Sequence, residues 1–174
     1  SLPGISAKVL TERLASLEEV GALKREKLPP PAGVHVYALT PWGLAAEPSL
    51  QELGRWAAKH SGHDPLLPLS AVSLMISMRT MFDARAAGEM TVSIGFVIAG
   101  EQFNAQVADG QITVARGEAV APAAVFRVPD AAALAALIYA KLPAEELERE
   151  GGLIIEGDRD LALRYVSLFQ LPEK

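Results

Sequence analysis

Basic side chains near the start of this sequence are the groups whose type and spacing could do chemistry. Lys24, Arg25 and Lys27 fall within four residues, and Lys8 and Arg13 precede them. Lys and Arg bind phosphate groups through their charge and their hydrogen-bond donors. The cluster therefore predicts contacts with a nucleic-acid backbone.

Catalytic chemistry is not indicated by the sequence. The 174 residues include three His and no Cys, which excludes disulfides and Cys-based metal sites. His60, His63 and Asp64 have the spacing of a metal site, but they fall in a predicted linker, where His side chains are usually solvated. No His follows His63, so a Ser-His-Asp triad is excluded there. We therefore expect neither an enzyme nor a metal or cofactor.

The acidic charge of the chain is unevenly distributed. Net charge at pH 7 is −5, which by itself argues against binding to nucleic acid. Residues 1–60 are nearly balanced, however, and the acidic excess lies in residues 61–174. An acidic second part should face away from phosphates. Because no apolar run could span a bilayer and no secretory leader is visible, we expect a soluble, cytoplasmic protein.

The basic residues must be positioned by a helix and a hairpin. Ser6 is a good N-cap for a helix that reaches Val20, since Leu residues recur on one face and Gly21 can end it. Strands are predicted at Ala22–Lys27 and Val34–Leu39, joined by a Pro-rich loop. Thr40-Pro41 then begins a helix that we expect to run to Lys59 with a kink at Pro48. Residues 61–68 are the predicted linker.

Residues 69–174 predict an α+β domain with an antiparallel sheet covered by helices. An apolar helix at Leu69–Ala86 comes first, and a short strand at Gly152–Glu156 and a last helix from Asp158 to Leu171 close the domain. Asp130 and Pro143 begin two helices between them. The four strand-like runs of the predicted meander are Met90–Ile98, Gln102–Ala108, Gln111–Arg116 and Ala123–Val128.

The first helix has the form of a recognition helix, which fits the major groove of DNA and presents short polar side chains to base edges. The ribbon would contact an adjacent backbone or groove. By spacing alone the alternative stays open that this is an ordinary amphipathic helix before a hairpin. The predicted DNA-contacting residues are Ser6, Lys8, Thr11, Arg13, Lys24, Arg25, Lys27 and His35.

Residues 1 to about 60 resemble the HxlR family of winged helix-turn-helix regulators. The similar strings are GISAKVLTERLASLEEVGALKRE, VHVYALTPWG and LGRWA. The positions that match the family pattern are Ile5, Ser6, Val9, Leu10, Thr11, Arg13, Leu14, Leu17, Glu18, Gly21, Arg25, Tyr37, Leu39, Thr40, Gly43 and Trp56. The resemblance implies a regulator that binds double-stranded DNA through a winged helix.

The same resemblance implies that this part of the chain packs against preceding helices and forms a dimer. Family members have helices before the recognition helix, so we expect that this sequence is a fragment or has lost its amino-terminal part. Members also dimerise, partly through the terminal helix, which here carries Leu50, Leu53 and Trp56. We expect a homodimer with two recognition helices one turn of DNA apart. The alternative is that this apolar stripe packs on its own domain.

Apolar residues of the second part predict a pocket for an apolar small molecule. Met side chains adapt to irregular ligands, and such pockets are mostly hydrophobic. The alternative, that these side chains only fill a core, stays open. The predicted pocket residues are Leu74, Met75, Met78, Phe82, Phe96, Phe103, Phe126, Tyr165 and Phe169.

Residues 69 to about 171 resemble the sterol carrier protein family, most distinctively in the string GGLIIEGDRDLALRYVSLF. The resemblance implies that sterols, fatty acids or acyl-CoA bind in an apolar tunnel beneath the sheet. The matching positions are Gly152, Leu153, Ile155, Gly157, Asp158, Ala162, Leu168 and Phe169.

Taken together, these features predict a transcription regulator whose DNA binding is controlled by an apolar ligand or lipid. Two alternatives remain. The chain could be a lipid carrier or buffer whose first sixty residues are a docking module, or a regulator whose second domain is only a dimerisation scaffold.

Overall fold

The computed structural model describes residues 5–29, 31–60, 62 and 69–172. The chain divides into two compact units, Ser1–Leu53 and Gly54–Lys174. Most of the predicted linker, including His63, lies outside the described residues. Each unit has its own helices and strands.

The first unit contains a long helix, a hairpin and a helix pair whose second member ends in the second unit. Its elements are α1 (Ala7–Glu19), β1 (Leu23–Lys27), β2 (His35–Leu39), α2 (Pro41–Ala45) and α3 (Glu47–Ala58). As predicted, Ser6 caps α1: its backbone is extended, and its Oγ accepts a hydrogen bond from the Val9 N–H at 3.3 Å. Ser6 thereby satisfies one of the N–H groups that the first turn leaves without a partner.

One long helix was predicted from Thr40 to Lys59, and the structure corrects this to two. The break falls at Ala46, before the kink predicted at Pro48. Pro48 instead occupies the first turn of α3, where its missing N–H breaks no helical hydrogen bond. Thr40 does cap α2, and Pro41 is its first helical residue, as predicted.

The second unit is a five-stranded sheet with helices, which confirms the predicted α+β class. The strand order is β5-β4-β3-β6-β7. Its elements are α4 (Ala71–Met81), α5 (Ala84–Ala87), β3 (Val92–Ile98), β4 (Glu101–Ala108), β5 (Gln111–Arg116), β6 (Ala124–Val128), α6 (Ala131–Ile138), α7 (Ala144–Arg149), β7 (Ile154–Gly157) and α8 (Arg159–Val166).

One strand pairing differs from the antiparallel meander that the sequence predicted. β3, β4 and β5 do form an antiparallel meander, but β6 returns to lie parallel to β3, with Phe96 opposite Phe126. β3 is apolar along most of its length, and five of its seven residues are buried. A strand of that composition favours the sheet centre, where it has a partner on both sides.

Two predicted helices are shorter than expected because residues near their ends pair with each other. The helix predicted to reach Ala86 ends at Met81, and Phe82 forms an isolated antiparallel bridge with Phe169. The helix predicted to reach Leu171 ends at Val166 for the same reason. The Asp83 N–H donates to the Leu168 carbonyl at 2.8 Å. This pairing satisfies backbone groups that a longer helix would have used internally.

The core of the second unit lies between the sheet and its helices. Alternate residues of the strands point inward, so that Phe103, Ala105 and Val107 of β4 are buried while Gln102 and Gln106 are exposed. Leu74 and the other inward residues of α4 pack in the same buried cluster. Burial of this apolar surface is the main force that holds the unit together.

Gly157, at the end of β7, provides a stability test of this unit. Its φ is +90°, and a Cβ added there would lie 2.4 Å from the Ala123 carbonyl oxygen. We expect Gly157→Ala to lower the free energy of unfolding by roughly 2–4 kcal/mol, from backbone strain plus the clash. Urea denaturation followed by circular dichroism measures the loss.

Gly151→Ala is the matched control for that substitution. Gly151 also has a positive φ, of +73°, but nothing lies within 4 Å of its added Cβ. We expect it to lose only the strain, roughly 1 kcal/mol. Equal losses in the two variants would contradict the close approach of Gly157 to β6.

Candidate nucleic-acid interface and ligand-binding unit

Thr40 joins the end of α1, the hairpin and the start of α2. Its Oγ1 donates to the Gly21 carbonyl at 2.6 Å and accepts from the Gly43 N–H at 3.0 Å. Its own N–H donates to the Ala22 carbonyl at 3.1 Å. Thr40 thus ties the turn that follows α1 to the end of the ribbon and to α2.

Gly43 completes this junction because it has no side chain. A Cβ at this position would lie 2.1 Å from the Ala22 carbonyl oxygen, a distance that no real Cβ adopts. The first turn of α2 can therefore approach the chain after α1 only through a glycine. Thr40 and Gly43 are two of the positions on which the HxlR resemblance depends.

The predicted contact residues of α1 do not share one face. Lys8, Thr11 and Arg13 are all exposed. Thr11 lies about 60° around the helix from Lys8, whereas Arg13 is turned about 140° away. The Thr11 hydroxyl donates to the Ala7 carbonyl, and the Ser6 side chain is engaged in capping. Lys8 and Thr11 thus form one polar face, and Arg13 belongs to a flank.

The ribbon separates its basic residues onto two faces. Lys27 is opposite His35, and Arg25 lies two residues away on that same face. Lys24 points to the other face, where its Nζ pairs with Glu26 at 2.5 Å. The sequence had grouped Lys24, Arg25 and Lys27 because they are close along the chain. The alternation of side chains along the strands instead places Arg25, Lys27 and His35 on one face of the ribbon.

Large apolar side chains are exposed on α1 and α3. α1 has no buried residue, and Leu10 and Leu17 are 40% and 45% exposed. The stripe predicted for dimerisation is also uncovered, with Leu50 at 64%, Leu53 at 56% and Trp56 at 72%. These three residues follow one another at intervals of three, so they lie on one side of α3.

The nine predicted pocket residues lie in or beside the core of the second unit. Phe82 is half-buried, and the other eight are buried. Five of them form a continuous aromatic row in which neighbouring ring centroids are 5.1–6.1 Å apart. The row runs in the order Phe126, Phe96, Tyr165, Phe169 and Phe82.

Clefts in this unit are lined only partly by those residues. Phe82 lines a cleft of about 560 Å³ together with Arg85 and Gln170. Phe96 and Phe103 line a smaller one of about 100 Å³. In the part of the chain that the structure describes, the other six predicted pocket residues line neither cleft. As it stands, most of the predicted pocket is packed core.

Three hydroxyl groups in or beside this core were missed in the sequence analysis. Ser77 of α4 and Tyr139, after α6, share a hydrogen bond of 2.8 Å. Burial raises the pKa of Tyr139 to about 12, although its hydrogen bond with Ser77 acts in the opposite direction. Tyr165 was predicted only as an apolar surface, yet its hydroxyl is fully buried without a partner among the described residues. A Tyr within an apolar run was the available signal, since a buried phenol needs a partner.

Among the residues that the structure describes, no group of His, Asp and Glu is arranged to hold a metal ion. None of the described helices has both the length and the apolar character needed to cross a bilayer.

Thr40→Val tests the junction because valine keeps the shape and removes the hydroxyl. The substitution deletes an N-cap and a hydrogen bond to Gly21, so we expect the unfolding free energy to fall by about 1–2.5 kcal/mol. Urea denaturation followed by circular dichroism measures the change.

Thr11→Val is the control for this measurement. Thr11 is exposed, and its hydroxyl bonds only within α1. A change within about 0.5 kcal/mol is expected there. If Thr40→Val were equally mild, the hydroxyl would not be what holds the junction.

Comparison with known proteins gives two matches for the amino-terminal part. Residues 1–65 match the family described as HxlR-like helix-turn-helix. The chain is also similar to the HTH-type transcriptional regulator YvaP of Bacillus subtilis (strain 168), with 41% identity over 59 residues. That match covers 34% of this chain and 55% of the relative, so the chain spans about half the length of this relative.

The solved structures that align with this chain include an alkylsulfatase and a ubiquinone synthesis protein. The inverting sec-alkylsulfatase Pisa1 from Pseudomonas sp. aligns with a TM-score of 0.53 at 13% identity, over 59% of this chain and 16% of that one. A ubiquinone synthesis protein, UbiJ-SCP2, aligns with a TM-score of 0.42 at 16% identity, over 74% of this chain and 96% of that one. The likeness to the sulfatase concerns the fold alone.

The two amino-terminal matches agree with the geometry of the first unit. A capped helix, a hairpin and the Thr40–Gly43 junction occur at the positions that the HxlR pattern requires. Residues 1–65 therefore carry an HxlR-like helix-turn-helix domain.

Proposed function

We propose that this chain is a DNA-binding transcription regulator rather than an enzyme. The observation that carries the proposal is the HxlR-like match of residues 1–65, together with 41% identity over 59 residues to a helix-turn-helix regulator. The exposed cations of the ribbon support it, because phosphate contacts supply much of the affinity for DNA.

In this proposal α1 enters the major groove and the ribbon lies beside it. Lys8 and Thr11 face the base edges, and Arg13 reaches a phosphate at the flank. Ser6 caps the helix rather than reading a base. Arg25 and Lys27 contact the backbone with His35 beside them, whereas Lys24 is neutralised by Glu26 and contributes little.

A homodimer would bring two such helices to one operator. Leu50, Leu53 and Trp56 form an exposed apolar stripe, and patches of this kind usually mark an interaction surface. A two-fold axis through α3 would pair the same surface of both copies and would match a palindromic site.

Control by an apolar ligand is the remaining part of the proposal. The aromatic row leads from the core to Phe82, which lines the larger cleft. A molecule bound there would change DNA binding only to the extent that its affinity differs between the two states of the regulator.

A second candidate follows from the packing of the core. Eight of the nine predicted pocket residues are buried in one close-packed cluster. This favours a regulator whose second unit is a scaffold with no ligand, and stripping experiments would separate the two candidates. Binding of DNA that stays unchanged after extraction of apolar molecules would favour the scaffold.

The ribbon faces give the sharpest test of DNA binding. We expect Arg25→Gln and Lys27→Gln in the full-length protein each to weaken binding to the DNA upstream of its own gene. Each substitution should reduce the magnitude of the slope of log affinity against log salt concentration by about 0.9, because it removes one phosphate contact. Fluorescence anisotropy over a series of salt concentrations measures both quantities.

Lys24→Gln is the matched control in the same strand. It removes the same charge from the face where Glu26 already pairs with it, so the slope should hardly change. A loss equal to that of Lys27→Gln would refute the assignment of faces. No sequence-dependent binding by the unaltered protein would refute the regulator itself.

Leu53→Glu tests the dimer interface on α3. A buried, unpaired carboxylate is strongly disfavoured, so we expect the full-length protein to sediment as a monomer at concentrations where the unaltered protein is a dimer. Val120→Glu is the control, because Val120 is 87% exposed in a loop of the second unit. Sedimentation velocity distinguishes the species, and an unaltered dimer in Leu53→Glu would exclude this surface.

A further inference from the structure

β5 forms one edge of the five-stranded sheet, and half of its residues turn their backbone groups away from that sheet. In an antiparallel pair, alternate residues of a strand exchange hydrogen bonds with the neighbouring strand. The Gly117 N–H, directly after β5, donates to the Gln102 carbonyl of β4 at 2.9 Å. By the register, the odd-numbered residues of β5 therefore bond to β4. The residues whose N–H and C=O groups point outward are Ile112, Val114 and Arg116.

This edge lacks the features that usually keep sheet edges apart. Exposed edges are normally interrupted by Pro, by a bulge or by inward-pointing charges, because a free row of N–H and C=O groups pairs readily with another strand. β5 has the sequence QITVAR, with no Pro and with its one charge at the last residue. Its pairing with β4 continues without a bulge from Gln111 to Arg116. Among the described residues, no other backbone group bonds to the outward-facing ones, so the edge is open to a further strand.

Exposed apolar residues of α4 lie beside the same strand. α4 packs against β5, and its residues Val72 and Ile76 are 42% and 52% exposed. They are four positions apart and therefore lie on one side of the helix. Ser77, by contrast, faces the end of α6, where it shares a hydrogen bond with Tyr139. Val72 is turned about 140° around the helix from Ser77, on the flank of α4 that faces away from α6.

We propose that β5 pairs antiparallel with β5 of a second copy of this chain, with Thr113 at the two-fold axis and the two α4 flanks packed across it. A two-fold contact joins the same surface of both copies, so the edge must be complementary to itself. With Thr113 opposite Thr113, Ile112 of each copy lies opposite Val114 of the other, and the two exchange their outward backbone bonds. Thr pairs are favourable cross-strand neighbours, and Ile and Val pack well on a pleated surface. The same register places Arg116 beside the turn of the second copy that carries Asp109.

This register is preferred over a shift of the axis to the next residue on the core side. With Val114 on the axis, Ile112 would lie opposite Arg116, and the apolar pair would be lost. The interface goes beyond the proposed function, because it lies in the second unit and does not depend on the α3 surface, on DNA or on a ligand. Three outward-facing residues provide few hydrogen bonds, so the contact is weaker than that through α3 and forms at higher protein concentration.

A cysteine at the two-fold axis traps this contact, because the chain itself has no Cys. Thr113 is exposed, and in the proposed non-hydrogen-bonded pair the opposite Cα atoms are about 4.5 Å apart, which suits a disulfide. Ala115 is exposed on the same face of β5, but its two copies are about 14 Å apart in this register. With glutathione disulfide as oxidant, we expect Thr113→Cys in the full chain to form a covalent dimer at least about ten-fold faster than Ala115→Cys. Non-reducing electrophoresis measures both rates.

Ile76→Glu, added to the Thr113→Cys chain, tests the flank of α4. It brings two carboxylates together across the axis, so the rate of cross-linking should fall about ten-fold. Ile154→Glu is the matched control, because Ile154 is 56% exposed on β7, at the opposite edge of the sheet. That substitution should leave the rate unchanged.

Two results would overturn the proposal. Equal rates for Thr113→Cys and Ala115→Cys would mean that the edge faces solvent or a different protein. Equal rates for Ile76→Glu and Ile154→Glu would mean that the α4 flanks do not meet. Adding Leu53→Glu to both cysteine variants should preserve the preference for Thr113→Cys, so failure of the α3 dimer in sedimentation is recognised separately.

Discussion

Hydrogen bonds of a single threonine tie together the elements of the first unit. Thr40 accepts one bond, donates another from its hydroxyl and a third from its backbone, and so joins three elements that have few buried side chains of their own. α1 has no buried residue, so packing contributes little to its position. Hydrogen bonds therefore hold these elements together in place of a hydrophobic core. Gly43 leaves the space that these bonds require, because it has no side chain.

The second unit is organised in the opposite way. Its order comes from burial, with β3 at the centre of the sheet and an aromatic row beneath it. Such packing resists changes of volume, so a ligand can enter only where the packing is already imperfect. The half-buried ring of Phe82, which lines a cleft, is a place of that kind.

Local patterns in the sequence predicted the helices and strands well. Contacts between segments far apart in the chain were predicted less well. Ser6, Thr40 and Asp158 cap helices as expected, because a cap is decided by residues three positions apart. The parallel pairing of β6 with β3 and the bridge between Phe82 and Phe169 were missed, because both join distant segments and no local period encodes them. The residues proposed to contact DNA could be nominated from charge, but only the strand register assigns Lys24 to a different face from Lys27.

The bridge between Phe82 and Phe169 also constrains how the protein is made. Backbone groups early in the second unit find their hydrogen-bond partners almost at its end. The Asp83 N–H donates to the Leu168 carbonyl, and the Gln170 N–H donates to the Met81 carbonyl. Closing so long a loop is entropically unfavourable and must wait until both segments are available. On the ribosome, the first unit can therefore form its hairpin while the second is still being synthesised. The bridge between Phe82 and Phe169, by contrast, cannot form until Phe169 has left the exit tunnel.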